Sequence, residues 1–558
     1  MKASIFPILL ILPFLLSAQT EHDYLHDKYD ALHDSKRQQE FKKIRPMPRG
    51  VVYIQHPDEG EKEMREHFQL MKKLGFNSLK QIMPVPSWKL EDIQLIALDE
   101  GLIPWWYGSG GWDPITDELL EELKIPLDTD IKAIREHPKM LAYQKQVLKD
   151  RILRAKAYKE AHGTFPKEAQ TAFDPQVGAR GLDLTDEGKE LFVEWAKKRY
   201  KDIEHLNEAW SLHHHGLGIP FTSWKDFAEN WQDKASHRNY KDKMDIFRFK
   251  AEHGAKNIKA TAQRYADYDS RPPFRGGGEM SLFLPAAYMG VDMEAIADSV
   301  KNYGSFYPST HLSWHFDLTK GEVVRPFYIQ ASIMHGFNKG GWTGGWESTG
   351  GPQQFDGFAQ DYLNSYYVDG GTLLQLFMSQ MAAGFKGFGI WCWSIRSAGK
   401  EGGEYALLDR NSQPTDRAVR LGTMGKAMEK YRDEIWTAHK EPTVGVFIDW
   451  NNDAAWAAIS IRGRDSFVDV PIQARIGASR ALMNANIPYE FVTADDLRNG
   501  LAMRYPVIYL PSTIALSRDV LEILGTYVKE GGRLVIDMPG GKFDENTAIL
   551  PTGKSSLF

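Results

Sequence analysis

The sequence predicts an α/β fold: a (β/α)8 barrel followed by a small doubly wound α/β domain. Three observations carry that expectation. From Arg49 onward, short apolar runs alternate with amphipathic helical stretches, the pattern of parallel strands joined by helical crossovers. The alternation continues to about residue 438, long enough for a full barrel, in which chemistry sits at the C-terminal ends of strands. Aromatic and acidic residues recur just after the predicted strands: Trp88, Trp105, Trp106, Glu279, Trp314, Glu347, Trp391 and Trp393.

The chain opens with an export leader. Lys2 supplies a small positive region, Ile5 to Leu16 form an apolar stretch, and Leu16-Ser17-Ala18 provides a small-residue cleavage site. Residues 1–18 are therefore read as a signal peptide, which places the mature chain in the periplasm or outside the cell. The stretch is short for a bilayer span, and no second apolar run of that kind follows. Residues 19–47, rich in Lys, Asp, His and Gln, read as a lead-in.

The barrel occupies residues 48–438. Gly50 to Ile54 is its first strand, Glu61 to Leu74 a helix with apolar residues at helical spacing, and Phe76 to Ile82 the second strand. A helix through Asp92 to Leu98 leads into the third strand, Leu102 to Tyr107. Residues from Asp128 to Ala161 read as one long charged helix, the stretch from Trp210 to about Tyr240 as irregular, and Asp245 to Tyr268 as an amphipathic helix. Pro272-Pro273-Phe274-Arg275-Gly276-Gly277-Gly278 then delivers Glu279 to a strand end.

After Glu441-Pro442 the alternation restarts. Val444 to Asp449, Val507 to Pro511 and Arg533 to Asp537 read as strands, with helices from Ile472 to Ala485 and Asp519 to Glu530. This second domain spans 442–545, with residues 546–558 a tail. Gly540-Gly541 follows its last strand but lacks the spacing of a phosphate-binding turn, so no nucleotide site is expected.

Composition narrows the function. The net charge of −6 is mild and no basic cluster points to nucleic acid. A single cysteine, Cys392, excludes an internal disulfide framework, so the fold must rest on a large apolar core. His213-His214-His215 has no matching ligand spacing, and neither a metal nor a cofactor is expected. The 16 Trp and 23 Tyr are a surplus that suits sugar rings.

The chemistry centres on Trp342 to Gly351, WTGGWESTGG, where Glu347 stands among tryptophans and glycines. A carboxylate is costly to bury without partners, aromatic faces receive sugar rings, and glycine lets a ligand approach the backbone. Hydrolysis of a glycosidic bond needs two carboxyl groups, one attacking or activating water and one donating a proton. Glu347 is the first. Glu279, Asp174 and Glu168 are candidates for the second.

The residues resemble a known family at this point. Phe192-Val193-Glu194-Trp195 through Tyr200, then Ile203 and Leu206-Asn207-Glu208-Ala209-Trp210, looks like the F-x-x-W-L-x-x-x-Y-G-x-I-x-x-L-N-x-A-W segment of glycoside hydrolase family 42 β-galactosidases. Met381 to Gly387, Ile390 to Trp393, and Leu407-Leu408-Asp409 with Pro414 to Arg417 resemble its eighth strand and exit helix. The domain from about 442 is similar to the family's trimerisation domain, which has an amidotransferase-like fold. The resemblance implies a retaining β-galactosidase, assembled as a homotrimer, with Glu347 as nucleophile at the end of the seventh strand.

The family's proton donor is the Glu of an Asn-Glu pair that ends the fourth strand, before the F-x-x-W segment; the pair is missing there, and Phe173-Asp174-Pro175 falls in its place. A family arginine on the second strand is replaced by Lys80 or Gln81. Trp88, Trp105, Trp106, Trp314, Trp391 and Trp393 are expected to shape the sugar platform, and Glu401 matches a position lining the sugar site. An oligosaccharide or polysaccharide is the implied partner. Two alternatives stay open: a related barrel glycosidase for another sugar, such as a mannoside or marine galactan unit, and a non-catalytic sugar-binding barrel.

Overall fold

A computed structural model describes residues 39, 42–43, 45–104, 115–161, 186–234, 239–268, 290–302, 306, 308, 310, 322, 324–349, 368–396, 406–438, 440–461, 470–538 and 540–550. Two parallel sheets organise them. The first contains β1 (Arg49–Ile54), β2 (Ser78–Met83), β3 (Ile103–Pro104), β4 (Gly345–Thr349) and β5 (Phe388–Trp391) in the order β3-β2-β1-β5-β4. The first strand thus pairs with both the second and the last, Val51 opposite Leu79 on one side and Ile390 on the other. First-to-last pairing in an all-parallel sheet is how a barrel closes. Phe306 bridges in parallel to Thr343, which places the preceding strand position beside β4.

The β1 residues Val51, Val52 and Tyr53 have no exposed surface, as expected of a strand covered on both faces. Closure also depends on glycine. The Glu61–Leu74 helix ends at Gly75 (φ 127°), and the Asp416–Lys430 helix crosses it so closely that a Cβ on Gly75 would lie 2.1 Å from the Gly422 carbonyl oxygen. A Cβ on Gly422 would in turn meet the Leu74 oxygen at 2.4 Å. Only glycine permits this approach of backbone to backbone, and it brings the last helix of the barrel against the first.

The second sheet contains β6 (Val444–Ile448), β7 (Tyr489–Thr493), β8 (Val507–Leu510) and β9 (Arg533–Ile536), all parallel, in the order β7-β6-β8-β9. It is fused to the barrel by one apolar cluster. Ile329, Ile333, Met334 and Phe385 from the barrel pack with Val444, Val446 and Phe491 from β6 and β7. Two buried polar links cross the same boundary: Lys339 pairs with Asp496, and Arg248 donates to the Glu545 carbonyl at 2.7 Å and to Asn546 Oδ1 at 2.8 Å. No helix among the described residues is long and apolar enough to cross a membrane.

Several local expectations are corrected. The single helix expected over Asp128 to Ala161 is two, Ile131–Glu136 and Pro138–Ala161. Pro138 has no N–H to donate and begins the second helix, where that loss is harmless. The stretch read as irregular holds a helix, Trp224–Lys234, which buries Phe227 and Trp231. Strand β7 and the Trp450–Ile461 helix add to the elements expected from the sequence. That helix carries Asn451, Asn452 and Asp453 in its first turn and is apolar almost throughout after them, so its sequence shows no helical alternation of faces. Residues 546–550, expected in the tail, belong to the second domain: Ile549 bridges to Phe543, and Leu550 is buried.

Candidate active site

The strand bearing Glu347 is irregular where the carboxylate sits. β4 pairs Gly345 with Phe388 and Ser348 with Ile390, so three steps on β4 match two on β5. One extra residue is therefore accommodated, and such a bulge re-aims a side chain. Because side chains alternate along a strand, Glu347 and Ser348 face opposite sides. Ser348 is buried, whereas the Glu347 side chain is 20% exposed.

Lys80 on β2 reaches Glu347 from across the barrel. Its Nζ lies 3.1 Å from Glu347 Oε2, and the lysine side chain has no exposed surface. Two charges survive in such a place because each offsets the desolvation of the other. Lys80, and not Gln81, thus takes the position facing the nucleophile candidate. It brings a compact ammonium where an arginine would offer a planar fork of donors. The residual exposure of Glu347 leaves the carboxylate accessible while its partner is not.

The backbone at Glu347 is also held. The Thr310 N–H donates to the Glu347 carbonyl at 2.8 Å. Gln380, on the Gly370–Ala383 helix, donates from Nε2 to Thr310 Oγ1 at 2.6 Å and lies 3.3 Å from Ser348 Oγ. Sequence reasoning misses these residues. The available signal is a glutamine in the buried stripe Leu373, Leu376, Phe377, Gln380 and Ala383, a polar residue where the helix period demands an apolar one.

The tryptophans divide. Trp391 is 8% exposed at the end of β5, beside Val52 and Ala406, and the Arg396 guanidinium lies 4.6 Å from its ring centroid. Trp393 must be removed from the expected sugar platform. It is fully buried, packs edge-on against Phe76 and against His67 of the Glu61–Leu74 helix, and donates its indole N–H to His67 Nδ1 at 3.2 Å. With Nδ1 accepting, His67 carries its proton on Nε2 and donates it to Glu59 Oε1 at 3.1 Å; the same carboxylate accepts from Tyr53 at 2.6 Å. Two residues beyond Trp391, Trp393 faces the helical layer instead of the barrel mouth. Trp88 is partly buried and packs against the core cluster of β1 and β2. Trp105, Trp106, Glu168, Asp174, Glu279, Trp314 and Glu401 lie outside the described residues.

The Asn207–Trp210 segment has a structural role. Asn207 pairs by its amide with both backbone groups of Phe221, at 2.9 and 2.8 Å. The buried Trp210 donates to Asp245 Oδ2 at 2.7 Å, an acceptor it shares with the Tyr200 hydroxyl. This pins three helices together.

A barrel of this closure, with a glutamate on a late strand paired to a buried cation, agrees with the comparisons with known proteins. Residues 176–431 match the glycoside hydrolase family 42 model, described as β-galactosidase. This segment of the chain is similar to glycoside hydrolase family 42. Residues 458–548 match a second model, GLMA-like, second domain. The chain is similar to the β-galactosidase LacZ of Heyndrickxia coagulans, 21% identical over 382 residues, which cover 66% of this chain and 51% of that protein. It is 22% identical over 367 residues to the β-galactosidase bgaB of Geobacillus kaustophilus, covering 64% and 49%. The chain thus spans about half the length of the curated relatives it matches.

Among solved structures, the β-galactosidase of Bacillus circulans sp. alkalophilus superposes with a TM-score of 0.69 at 17% identity, over 92% of this chain and 74% of that one. The family 42 exo-carrageenase of Bacteroides ovatus does so at 0.51 and 14%, over 82% and 65%. These likenesses establish the shared barrel architecture.

Proposed function

We propose that this protein is a retaining glycoside hydrolase that removes a terminal β-galactose-like unit from an oligosaccharide by double displacement. The observation that carries the reading is the Glu347 carboxylate, accessible at the irregularity in β4 and held by a fully buried lysine. A carboxylate kept ionised and fixed in direction is what attack on an anomeric carbon requires. Glu347 forms the glycosyl–enzyme bond while an acid protonates the leaving oxygen; the acid then returns as base to activate water. Asp174, Glu168 and Glu279 are the proposed sources of that second carboxyl, and Trp391 contributes an aromatic wall.

The sugar is proposed from the β-galactosidase names of the relatives. A second reading, a galactan-derived unit, is favoured by Lys80: a point charge in place of a bidentate arginine changes which hydroxyls and charges fit beside the nucleophile. Export through the leader and assembly as a trimer complete the proposal.

Hydrolysis of aryl β-galactosides, aryl β-mannosides and sulfated galactosides tests it. Glu347→Ala should abolish turnover, and azide should then yield a glycosyl azide of inverted configuration. Azide added to Ala variants of Asp174, Glu168 and Glu279 should give a retained azide only for the true acid/base. Full activity in Glu347→Ala would end the assignment; sugar binding without turnover in the native chain would favour the non-catalytic barrel.

A further inference from the structure

We propose that Gln380 is a positioning residue for the nucleophile: through the hydroxyls of Thr310 and Ser348 it sets the backbone from which Glu347 projects. The proposal rests on Glu347 being that nucleophile. Its basis is a polar cluster on the Ser348 side of β4, the face opposite the Glu347 side chain. Gln380 has no exposed surface, and Thr310 and Ser348 are each 1% exposed. The Gln380 amide nitrogen has two hydrogens, and two acceptors face it: Thr310 Oγ1 at 2.6 Å and Ser348 Oγ at 3.3 Å. The two hydroxyl oxygens lie 2.8 Å apart. Thr310 closes the circuit on Glu347 itself, by its N–H at 2.8 Å and its hydroxyl at 3.4 Å from the Glu347 carbonyl oxygen.

Three features make this more than a satisfied core cluster. The ladder between β4 and β5 slips by one residue between Gly345 and Ser348, so the regular sheet bonds that would fix this backbone are interrupted there. The neighbouring strand position grips the same peptide through Thr310. Gly345 leaves the space that Gln380 fills, since a Cβ there would lie 3.2 Å from Thr310 Oγ1 and 3.3 Å from both terminal atoms of Gln380. A leucine at 380 would complete the apolar stripe of its helix. The glutamine is placed instead where two donors from one nitrogen can tie Thr310 to Ser348 at the bulge, and its Oε1 is left buried with no hydrogen-bond partner among the described residues. An acceptor left in that state is disfavoured unless the donor end matters.

The test compares the full-length protein with Gln380→Leu and Gln380→Glu. The leucine removes both donors at similar volume, and the glutamate keeps the shape while removing the donating nitrogen. Turnover of p-nitrophenyl β-D-galactoside should fall on the order of 10–100-fold in kcat, the scale of a catalytic group moved by about 1 Å, with KM changed less than about threefold. Ser348→Ala should lose less, and adding it to Gln380→Leu should cost little more, because both act through one circuit. Binding of 1-deoxygalactonojirimycin by calorimetry supplies a readout that needs no turnover: its ammonium pairs with Glu347, so affinity should weaken in Gln380→Leu. An active native enzyme with unchanged kcat in Gln380→Leu overturns this proposal alone. So does a kcat loss matched by the loss of folded protein in a thermal melt. A native protein that neither turns over nor binds the iminosugar overturns the proposed function and this inference with it.

Discussion

Lys80 Nζ stands 3.1 Å from Glu347 Oε2, and of the two side chains only the glutamate reaches solvent. The pair joins the second strand of the barrel to the strand that carries the proposed nucleophile, and it orders the side chain that must be aimed. Lys80→Met should lower kcat/KM roughly 10²-fold or more, since it strands a partly buried carboxylate without its cation. It should also move the low-pH limb of the rate profile to higher pH, because the cation favours the charged carboxylate. Lys80→Arg keeps the charge and should retain the limb. Profiles of kcat/KM against pH for the three proteins decide this; an unmoved limb in Lys80→Met would refute it.

Trp393 is assigned to the core, and Trp393→Phe tests that. The variant leaves His67 Nδ1 without its donor, at a cost of about 1–3 kcal/mol of stability. KM for an aryl galactoside should stay within about twofold, since the residue has no exposed surface. A large rise in KM with an unchanged melting temperature would return Trp393 to the sugar platform.

Trp210→Phe should destabilise the protein by about 1–3 kcal/mol by removing a buried donor to Asp245. Chemical denaturation measures it. Specific activity per folded molecule should be preserved, because the Asn207–Trp210 segment ties helices together.

Asp449, at the end of β6, gives a pH prediction. Burial pushes its carboxyl up to about 7, with Asp453 adding to the rise and Asn451 and Arg498 opposing it. The folded state therefore holds this proton more tightly than the unfolded chain, whose value is the ordinary 3.8. That contribution is full below about pH 4 and is lost as pH rises through 7. Asp449→Asn stays neutral and can still accept from the Asn451 N–H, which lies 3.1 Å from Oδ1. Its melting temperature relative to the native protein should rise between pH 5 and pH 8, by an amount worth up to a few kcal/mol at ~1.4 kcal/mol per pH unit. A pH-independent difference would exclude the linkage.

Local sequence determined much of this protein. Short apolar runs marked the parallel strands β1, β2, β6, β8 and β9; in β1 and β6, burial on both faces leaves few polar choices. The neighbours of Glu347 mark it within the chain, since a carboxylate among tryptophans and glycines needs a reason. Periodicity fails where polar residues cluster at one end of an element, as in the Trp450–Ile461 helix, and where a short strand such as β7 buries a polar residue, Glu490.

What tertiary structure alone decided are the relationships between residues far apart in the chain. Nothing local to Lys80 names Glu347, 267 positions later, as its partner. Nothing near Gln380 names Thr310. Trp391 and Trp393 look alike in sequence, yet the backbone after β5 turns Trp393 to the helices. Hydrophobic pattern specifies which face a residue takes; which charge or hydroxyl waits on that face depends on how the barrel closes.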